Sequence, residues 1–515
     1  MSDLTMFPLA LAAQATPLKA TLGTVEGVRL TAQGTFIFPS EGEINAAVIE
    51  DFIKLHINHR QAALLENHYM YHGTHRILLD KAVQNSMLVM PDNRLVANYP
   101  KYIVDTFNGY IVSIPVNITN EKDKATKDIQ DFIDRTDFND QFAELSKSCS
   151  IYGNAYAYMY QGQDSKTYMQ HVSPLEMFVI YDDNIEQNPL AGVRFWEEVK
   201  SGKNYIKAEV YIGTKKYEYS EETGVGVLSD VAGYDNMYPR IPIIEFVENE
   251  SRQSVFEPVK TLIDAYNKVL SNKMNDIEYF ANAYLKILGA SIESKTLTSM
   301  QANRVINAVG TASQAVDIGF IEKPDSDNMT EHMLDRLTDL IFITSMVANT
   351  TDDTYGDASG TALEFKLQDM RNMAIAKQRK LTSGLRQVFR VFASLPLNTS
   401  AGADSWTSNK YNFTENMPRN VKEEVENAKN LEGLVSKETQ LSQLSFVEDV
   451  QGEIAAMKKE QDDSLSMFEK KAQELAGNQA DDDAEPVDNE VKPDDKEEDP
   501  DDKKDKPDDK AKKEG

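Results

Sequence analysis

Two long heptad stripes constrain this chain more than any other feature. Apolar residues return at every seventh position as Phe256, Ile263, Leu270, Ile277 and Tyr284, with Val259, Tyr266, Phe280 and Ile287 on the adjacent seam. A period held for this long predicts one continuous helix. At about 1.5 Å per residue, roughly thirty residues run about 45 Å, the span of a small domain. Such a segment is a strut, longer than an average globular helix. A second strut carries Leu367, Ala374, Leu381, Val388 and Leu395 at the same spacing. It opens on Thr361, followed three residues later by Glu364, a capping-box pattern.

Ser254 with Glu257 marks the start of the first strut in the same way, and Pro258 falls in its first turn, where a missing N–H costs little. Asn328 with Glu331 makes a third such box. Between the struts, residues 286–290, 296–309 and 316–321 predict strand, helix and strand. A unit this small at the tip of two antiparallel helices cannot bury a core by itself, which predicts neighbouring copies around it. Residues 349–360 are polar, acidic and rich in turn formers, a loop between helices.

Residues 1–40 lack periodicity and read as an arm. Ile44, Val48, Phe52, Leu55, Ala62 and Tyr69 predict an amphipathic helix over about 43–71, ending near Gly73. Further helices are predicted over 95–112, stopped by Pro115, and over 126–149. The period then changes. Residues 156–160, 177–181, 193–199, 205–212 and 243–247 are short, aromatic and β-branched, with turn residues between them, and predict strands. The expected fold class is therefore α+β. Pro396 and residues 398–409 break the second strut, and 418–434 and 446–475 predict charged amphipathic helices.

The 515 residues suffice for about two to four domains. Net charge is −29. Residues 481–515 hold seventeen acidic and eight basic side chains, a balance of −9, which leaves −20 for the rest. That tail has almost no apolar residues and is expected to be disordered. So acidic a body does not gather nucleic acid through a basic surface, because that attraction needs lysine and arginine to displace phosphate counterions.

The second strut departs from this background. Residues 361–395 hold Lys366, Arg371, Lys377, Arg379, Lys380, Arg386 and Arg390 against Glu364 and Asp369, a balance of +5. Either these cations approach DNA phosphates or they pair with acidic surfaces of a neighbouring subunit, and the second reading is preferred.

The single cysteine, Cys149, excludes an internal disulfide and suits a reducing compartment. With no histidine near it in sequence, it reads as a structural thiol. The N-terminal apolar run lacks a basic leader, and no run of eighteen apolar residues occurs, so synthesis in the cytoplasm and no membrane span are expected. No phosphate-cradling glycine motif, Gly-x-Ser-x-Gly or His-Glu-x-x-His is present, so neither an enzyme nor a cofactor is expected. His56, His59, His68, His72 and His75 cluster within twenty residues, and His68 with His72 has the spacing of two imidazoles on one helix face. Gly73 interrupts that helix and only a carboxylate such as Glu66 or Asp80 could complete a site, so no metal is expected. Asp352, Asp353 and Asp357 match no calcium loop and have no evident base or nucleophile beside them.

Residues 359–367, Ser-Gly-Thr-Ala-Leu-Glu-Phe-Lys-Leu, open a long helix after an acidic loop. They resemble the segment that follows the tunnel loop in portal proteins of tailed double-stranded-DNA bacteriophages. The strings at 71–75, 93–98, 153–156, 173–176 and 239–243 resemble the same family in the same order, over roughly residues 44–475.

The resemblance implies an arm (1–40), a wing (41–254), a first stem helix (255–286) packed through Phe256, Ile263, Leu270, Ile277 and Tyr284, and a clip (287–327). It implies further a second stem helix (328–347), a tunnel loop (348–360), a long wing helix (361–396), a connecting segment (397–418), crown helices (419–478) and an acidic tail (479–515). Thr351, Asp352, Asp353, Thr354, Tyr355, Gly356 and Asp357 would lie nearest DNA. Lys366, Arg371, Lys377, Arg379 and Lys380 would face DNA or a neighbouring subunit. The implied function is a homo-oligomeric ring, dodecameric in the family, at one capsid vertex of the virion. It would conduct double-stranded DNA during packaging and ejection. Its implied partners are the terminase large subunit, head-tail connector proteins, major capsid and scaffold proteins. Other ring-forming head-tail adaptors, a metal enzyme built on the histidines and a helical scaffold are the rival readings.

Overall fold

The computed structural model describes residues 21–80, 91–222, 225–235, 237–281, 285–288, 317–320, 327–350, 360–416, 421–444, 446–447 and 450–477. The chain divides into two units, Met1–Pro418 and Arg419–Gly515. Both α and β elements are present, as the change of period predicts.

The first unit begins with β1 (Thr21–Leu22), β2 (Arg29–Leu30) and β3 (Phe36–Phe38). Then α1 (Ala46–Leu55) continues through a π turn (His56–Arg60) into α2 (Gln61–Tyr71), so the predicted helix over 43–71 is one rod with a bulge in it. Asn45 caps it, its side-chain oxygen accepting from the amides of Ala47 and Val48. A single turn, α3 (Arg76–Leu79), precedes α4 (Tyr99–Val112), β4 (Asn117–Asn120), α5 (Asp123–Arg135) and α6 (Phe138–Tyr152). The helix predicted over 126–149 is thus two helices. Asp137 takes a left-handed conformation, φ 48°, which no helix interior accommodates.

Strands follow as β5 (Asn154–Gln161), β6 (Thr167–Val172), β7 (Met177–Asp182), β8 (Pro189–Lys200), β9 (Lys203–Ile212), β10 (Lys215–Glu222), β11 (Val225–Asp235) and β12 (Ile243–Val247). All five predicted strands are among them. An eight-stranded sheet runs β1-β2-β3-β7-β8-β9-β10-β11, and a three-stranded one runs β12-β5-β6. Only β3 with β7 pairs in parallel in the large sheet. Strand β10 escapes the sequence reading because its residues are mostly charged. Among its described side chains only Tyr219 is fully buried, in the same core as the apolar face of α1.

Two cores result. One lies between the large sheet and α1, where Phe36 and Phe178 centroids are 4.7 Å apart and Phe36 meets Phe52 edge-on at 5.9 Å. The other gathers α4, α5 and α6 around the longest helix, α9. Before it come α7 (Lys260–Ala281), β13 (Leu285–Leu288), β14 (Asp317–Phe320) and α8 (Asp327–Ser345), with α9 spanning Gly360–Ala393. Strand β13 pairs antiparallel with β14, as predicted for the ends of the small α/β unit; the helix predicted between them lies outside the described residues. Strand β15 (Asn409–Asn412) pairs with β4.

Helix α9 packs on β12 through Gly384. A Cβ there would come within 2.4 Å of the buried Phe246 ring, so the glycine makes the hole into which that ring fits. In the second unit, α10 (Val421–Asn430) and α12 (Val450–Gly477) occupy the two predicted helical stretches, and a short helix between them, α11 (Lys437–Leu441), is one that the sequence reading does not include. Gln440 there donates to the Ala428 carbonyl at 2.8 Å. Among the described residues no helix is long and apolar enough to cross a membrane.

Candidate functional site

The heptad positions of the first strut change environment along its length. Phe256 and Ile263 are fully buried, Leu270 is half-buried and Ile277 is 50% exposed. Tyr284 lies outside the described residues. The stripe therefore starts in the second core and runs out of it while staying apolar. Helix α7 enters through a 3-10 turn at Glu257–Val259, so the predicted box does not form. Ser254 Oγ accepts from the Phe256 amide instead, and Glu257 bonds Lys260 at 2.9 Å. Lys260 also reaches Glu66 on α2 at 3.3 Å, tying the root of α7 to the body.

Helix α8 lies beside α7 and carries two apolar faces. Leu334, Leu337 and Ile341 are buried. Met329, Met333 and Ile343 are 73%, 49% and 73% exposed, with Leu340 half-buried among them. At about 100° per residue the second stripe lies roughly 120° around the helix from the first. Glu331, the expected capping partner of Asn328, instead bonds Lys273 on α7, because α8 already starts at Asp327. Thr361 is likewise inside α9, which starts at Gly360. The second of these faces is left exposed by the described residues.

The loop residues Thr351 to Asp357 lie outside the described residues. Their N-terminal approach is tethered. Val347 is buried, and Tyr102 on α4 accepts from the Thr350 amide at 2.9 Å.

The cations of α9 are dispersed. Lys377 is 1% exposed, the reverse of a channel-facing or neighbour-facing cation. Its ammonium donates to Glu248 at 2.8 Å, the Ser146 carbonyl at 3.1 Å and Ser150 Oγ at 2.5 Å, and stands 5.2 Å from the Phe107 ring centroid. The helix face that carries it packs inward, so its charge is satisfied inside its own chain. Lys380 pairs with Glu250, and Arg371 with Glu415 at 3.2 Å. Lys366 and Arg379 are at the surface.

The histidines do not converge. His56 is buried between Phe36 and Phe178, its Nε2 bonded to the Pro174 carbonyl at 2.8 Å. Burial pushes its pKa down to about 3. His68 Nδ1 pairs with the Tyr152 hydroxyl at 2.8 Å and His72 Nδ1 with the His68 carbonyl at 2.8 Å. His75 is buried against α7, and His59 is exposed. Among the described residues no group of three or more His, Cys, Asp or Glu side chains is placed to hold a metal ion. Burial pushes the Cys149 thiol well above its usual range, which leaves it unreactive.

Sequence reasoning does not reach Glu248, the partner of Lys377, or Asn267, Ser271 and Asn275, which accept backbone amides from the 93–97 segment. The signal for the second group is in the sequence: three polar side chains at i, i+4 and i+8 inside an amphipathic helix.

The family model for phage portal proteins of the SPP1 Gp6-like type matches residues 50–466. The chain belongs to this portal protein family. It is 27% identical over 416 residues to the portal protein of Bacillus phage SPP1, covering 76% of this chain and 79% of that protein. It is 23% identical over 422 residues to the portal protein of Clostridium phage phiCD119, covering 76% and 91%. Among solved structures, a chain in the neck of an empty GTA particle computed with C6 symmetry aligns at 10% identity with a TM-score of 0.42. That alignment covers 67% of this chain and 89% of that one, a likeness too slight to argue from.

Two predictions follow from the buried groups. Lys377→Ala leaves the Glu248 carboxylate buried without its cation and is expected to cost about 3–5 kcal/mol. The double variant Lys377→Met/Glu248→Leu is expected to recover most of this, read as the urea midpoint. His56 is held neutral, so its stabilising contribution is complete above its ordinary pKa of 6.5 and is lost as pH falls from there toward about 3. Urea midpoints from pH 7.5 to 4.5 are expected to fall more steeply for the native chain than for His56→Phe.

Proposed function

We propose that this portal-family chain assembles into a closed homo-oligomeric ring, twelve subunits as the family resemblance implies. The ring would sit at one vertex of the virion capsid and conduct double-stranded DNA in and out. The observation that carries this reading is the second apolar stripe of α8, with Met274 and Ile277 of α7 also exposed. A neighbouring copy, repeated head to tail, would cover such faces all the way round a ring and leave none open. In this reading 41–254 is the wing, α7 and α8 are the stem, 287–327 is the clip that meets terminase and connector proteins, and 419–478 is the crown. The chain works mechanically, without catalysis, and the packaging ATPase is a separate protein.

The acidic body supports passage over adhesion. With −20 outside the acidic tail, the ring walls offer DNA few sites for counterion release. The intrachain partners of Arg371, Lys377 and Lys380 point the same way, because their charge is already met within one subunit. The loop 351–357 would then approach DNA by shape and steric contact, with Tyr355 its largest side chain.

Negative-stain microscopy with molar-mass measurement on one sample tests the ring. Closed rings with a central hole wide enough for duplex DNA are expected. Met333→Asp/Ile343→Asp is expected to keep its circular dichroism spectrum and lose rings, since exposed positions carry little of the fold. A native chain that stays monomeric even with scaffold protein overturns the ring reading, and a variant that assembles normally removes the stripe from it. Deleting 351–357 is expected to leave rings intact and to impair packaging or genome retention in a phage complementation assay; unchanged packaging and retention would rule the loop out.

A further inference from the structure

The segment before α4 lies along α7 and is gripped through its main chain. Alternate amides are held. Asn93 N–H donates to Asn275 Oδ1 at 2.6 Å, Leu95 N–H to Ser271 Oγ at 2.9 Å and Ala97 N–H to Asn267 Oδ1 at 2.8 Å. Four helical residues rise about 6 Å, and two extended residues span about 6.6 Å. The two periods nearly match, so a helix with acceptors at i, i+4 and i+8 can bond every second amide of an extended chain. The match holds for three rungs. One step further toward the start of α7 the position is Ile263, which has no acceptor, and one step the other way the strap residue is Pro91, which has no N–H to donate.

The innermost rung is fixed in orientation. Asn267 is fully buried, with its Oδ1 on Ala97 and its amide nitrogen 3.0 Å from His75 Nδ1. The other ring nitrogen of His75 lies 3.1 Å from the Met70 carbonyl. That nitrogen must therefore donate and Nδ1 must accept, which a neutral imidazole with its proton on Nε2 does. Rotating the Asn267 amide would set donor against donor at Ala97 and acceptor against acceptor at His75. At the outer end, Asn93 Nδ2 donates to Glu278 at 2.5 Å.

We propose that residues 91–98 are a strap locked on α7 in a single register by Asn267, Ser271 and Asn275, and that the lock makes the root of α7 move as one body with α4. The strap runs directly into α4, whose Asn98 cap accepts from the Lys101 amide and donates to the Tyr71 carbonyl at 3.0 Å. Helix α4 is in turn buried in the second core through Ile103, Val104 and Phe107. An apolar contact in this place would be non-directional and would let the two slide. Three side-chain acceptors on alternate amides permit one alignment. The inference concerns one subunit and does not depend on ring formation.

Residue-resolved hydrogen exchange on the full chain, by electron-transfer fragmentation, tests it. In the native protein the amides of Asn93, Leu95 and Ala97 are expected to exchange on the order of tenfold more slowly than those of Arg94 and Val96. In Ser271→Ala/Asn275→Ala, whose alanines favour the helix, Asn93 and Leu95 are expected to lose that protection. Amides across 267–275 should exchange faster, and those of Ile103 and Val104 should be unchanged. Uniform exchange across 93–97 in the native chain, or protection of Asn93 and Leu95 retained in the variant, overturns the lock. Loss of those two with no change in 267–275 overturns the coupling of α7 to α4.

Discussion

The buried ammonium of Lys377 is the constraint around which the first unit is arranged. Taking a charge out of water costs several kcal/mol unless its geometry is fully met. Here it is met from two other elements: α6 gives the Ser146 carbonyl and Ser150, and the residue after β12 gives Glu248. Three pieces distant in sequence must be in place together for α9 to lie where it does. A few residues along, the Phe246 ring seated at Gly384 sets how closely β12 approaches the same helix. The neighbouring carboxylate, Glu245, is handled similarly. Burial works against its charge, but Arg252 at 2.8 Å, Tyr181 and Asn154 bond it and hold its pKa below the ordinary range. Polar groups at the joint of sheet and long helix thus leave few alternative packings.

The positive balance of α9 takes on a different meaning in this light. Counted along the sequence, seven cations look like a surface for phosphate or for a neighbour. In the fold, Arg371, Lys377 and Lys380 answer Glu415, Glu248 and Glu250 of the same chain. A strongly acidic chain has carboxylates wherever it folds back on itself, and its longest helix passes several of them. Three of the seven cations are thus met within the fold.

Apolar periodicity was the legible part of the sequence, because burial on one face repeats with the helix or strand. It locates the struts and five strands, and an ordered set of short strings resembles the portal family. Polar side chains carry no such period. Nothing in the string Asn-Arg-Leu-Val-Ala-Asn at 93–98 says that its amides meet Asn267, Ser271 and Asn275, since main-chain recognition leaves no mark on the recognised residues. The histidines show the converse failure. Their spacing describes one helix face, but the Pro174 carbonyl, the Tyr152 hydroxyl and Asn267 arrive from elsewhere. The capping boxes misled because Ser254 bonds a nearer amide and Glu331 turns to Lys273, so tertiary partners outweighed local ones.

These features share one logic. Helix α8 presents apolar residues on two faces, and α7 stays apolar past the point where its own chain covers it. Apolar stripes attract without direction, so a chain with more stripes than its own core needs is at risk of burying the wrong one. What prevents this is directional. The ladder on α7 admits one alignment of the strap, Lys273 with Glu331 sets α8 beside α7, and Lys260 with Glu66 fixes where α7 leaves the body. Buried and half-buried polar contacts are weak as sources of stability, but they select among packings of similar apolar area. In a subunit of the proposed ring, they would decide which stripe is kept inside and which is left for the neighbour.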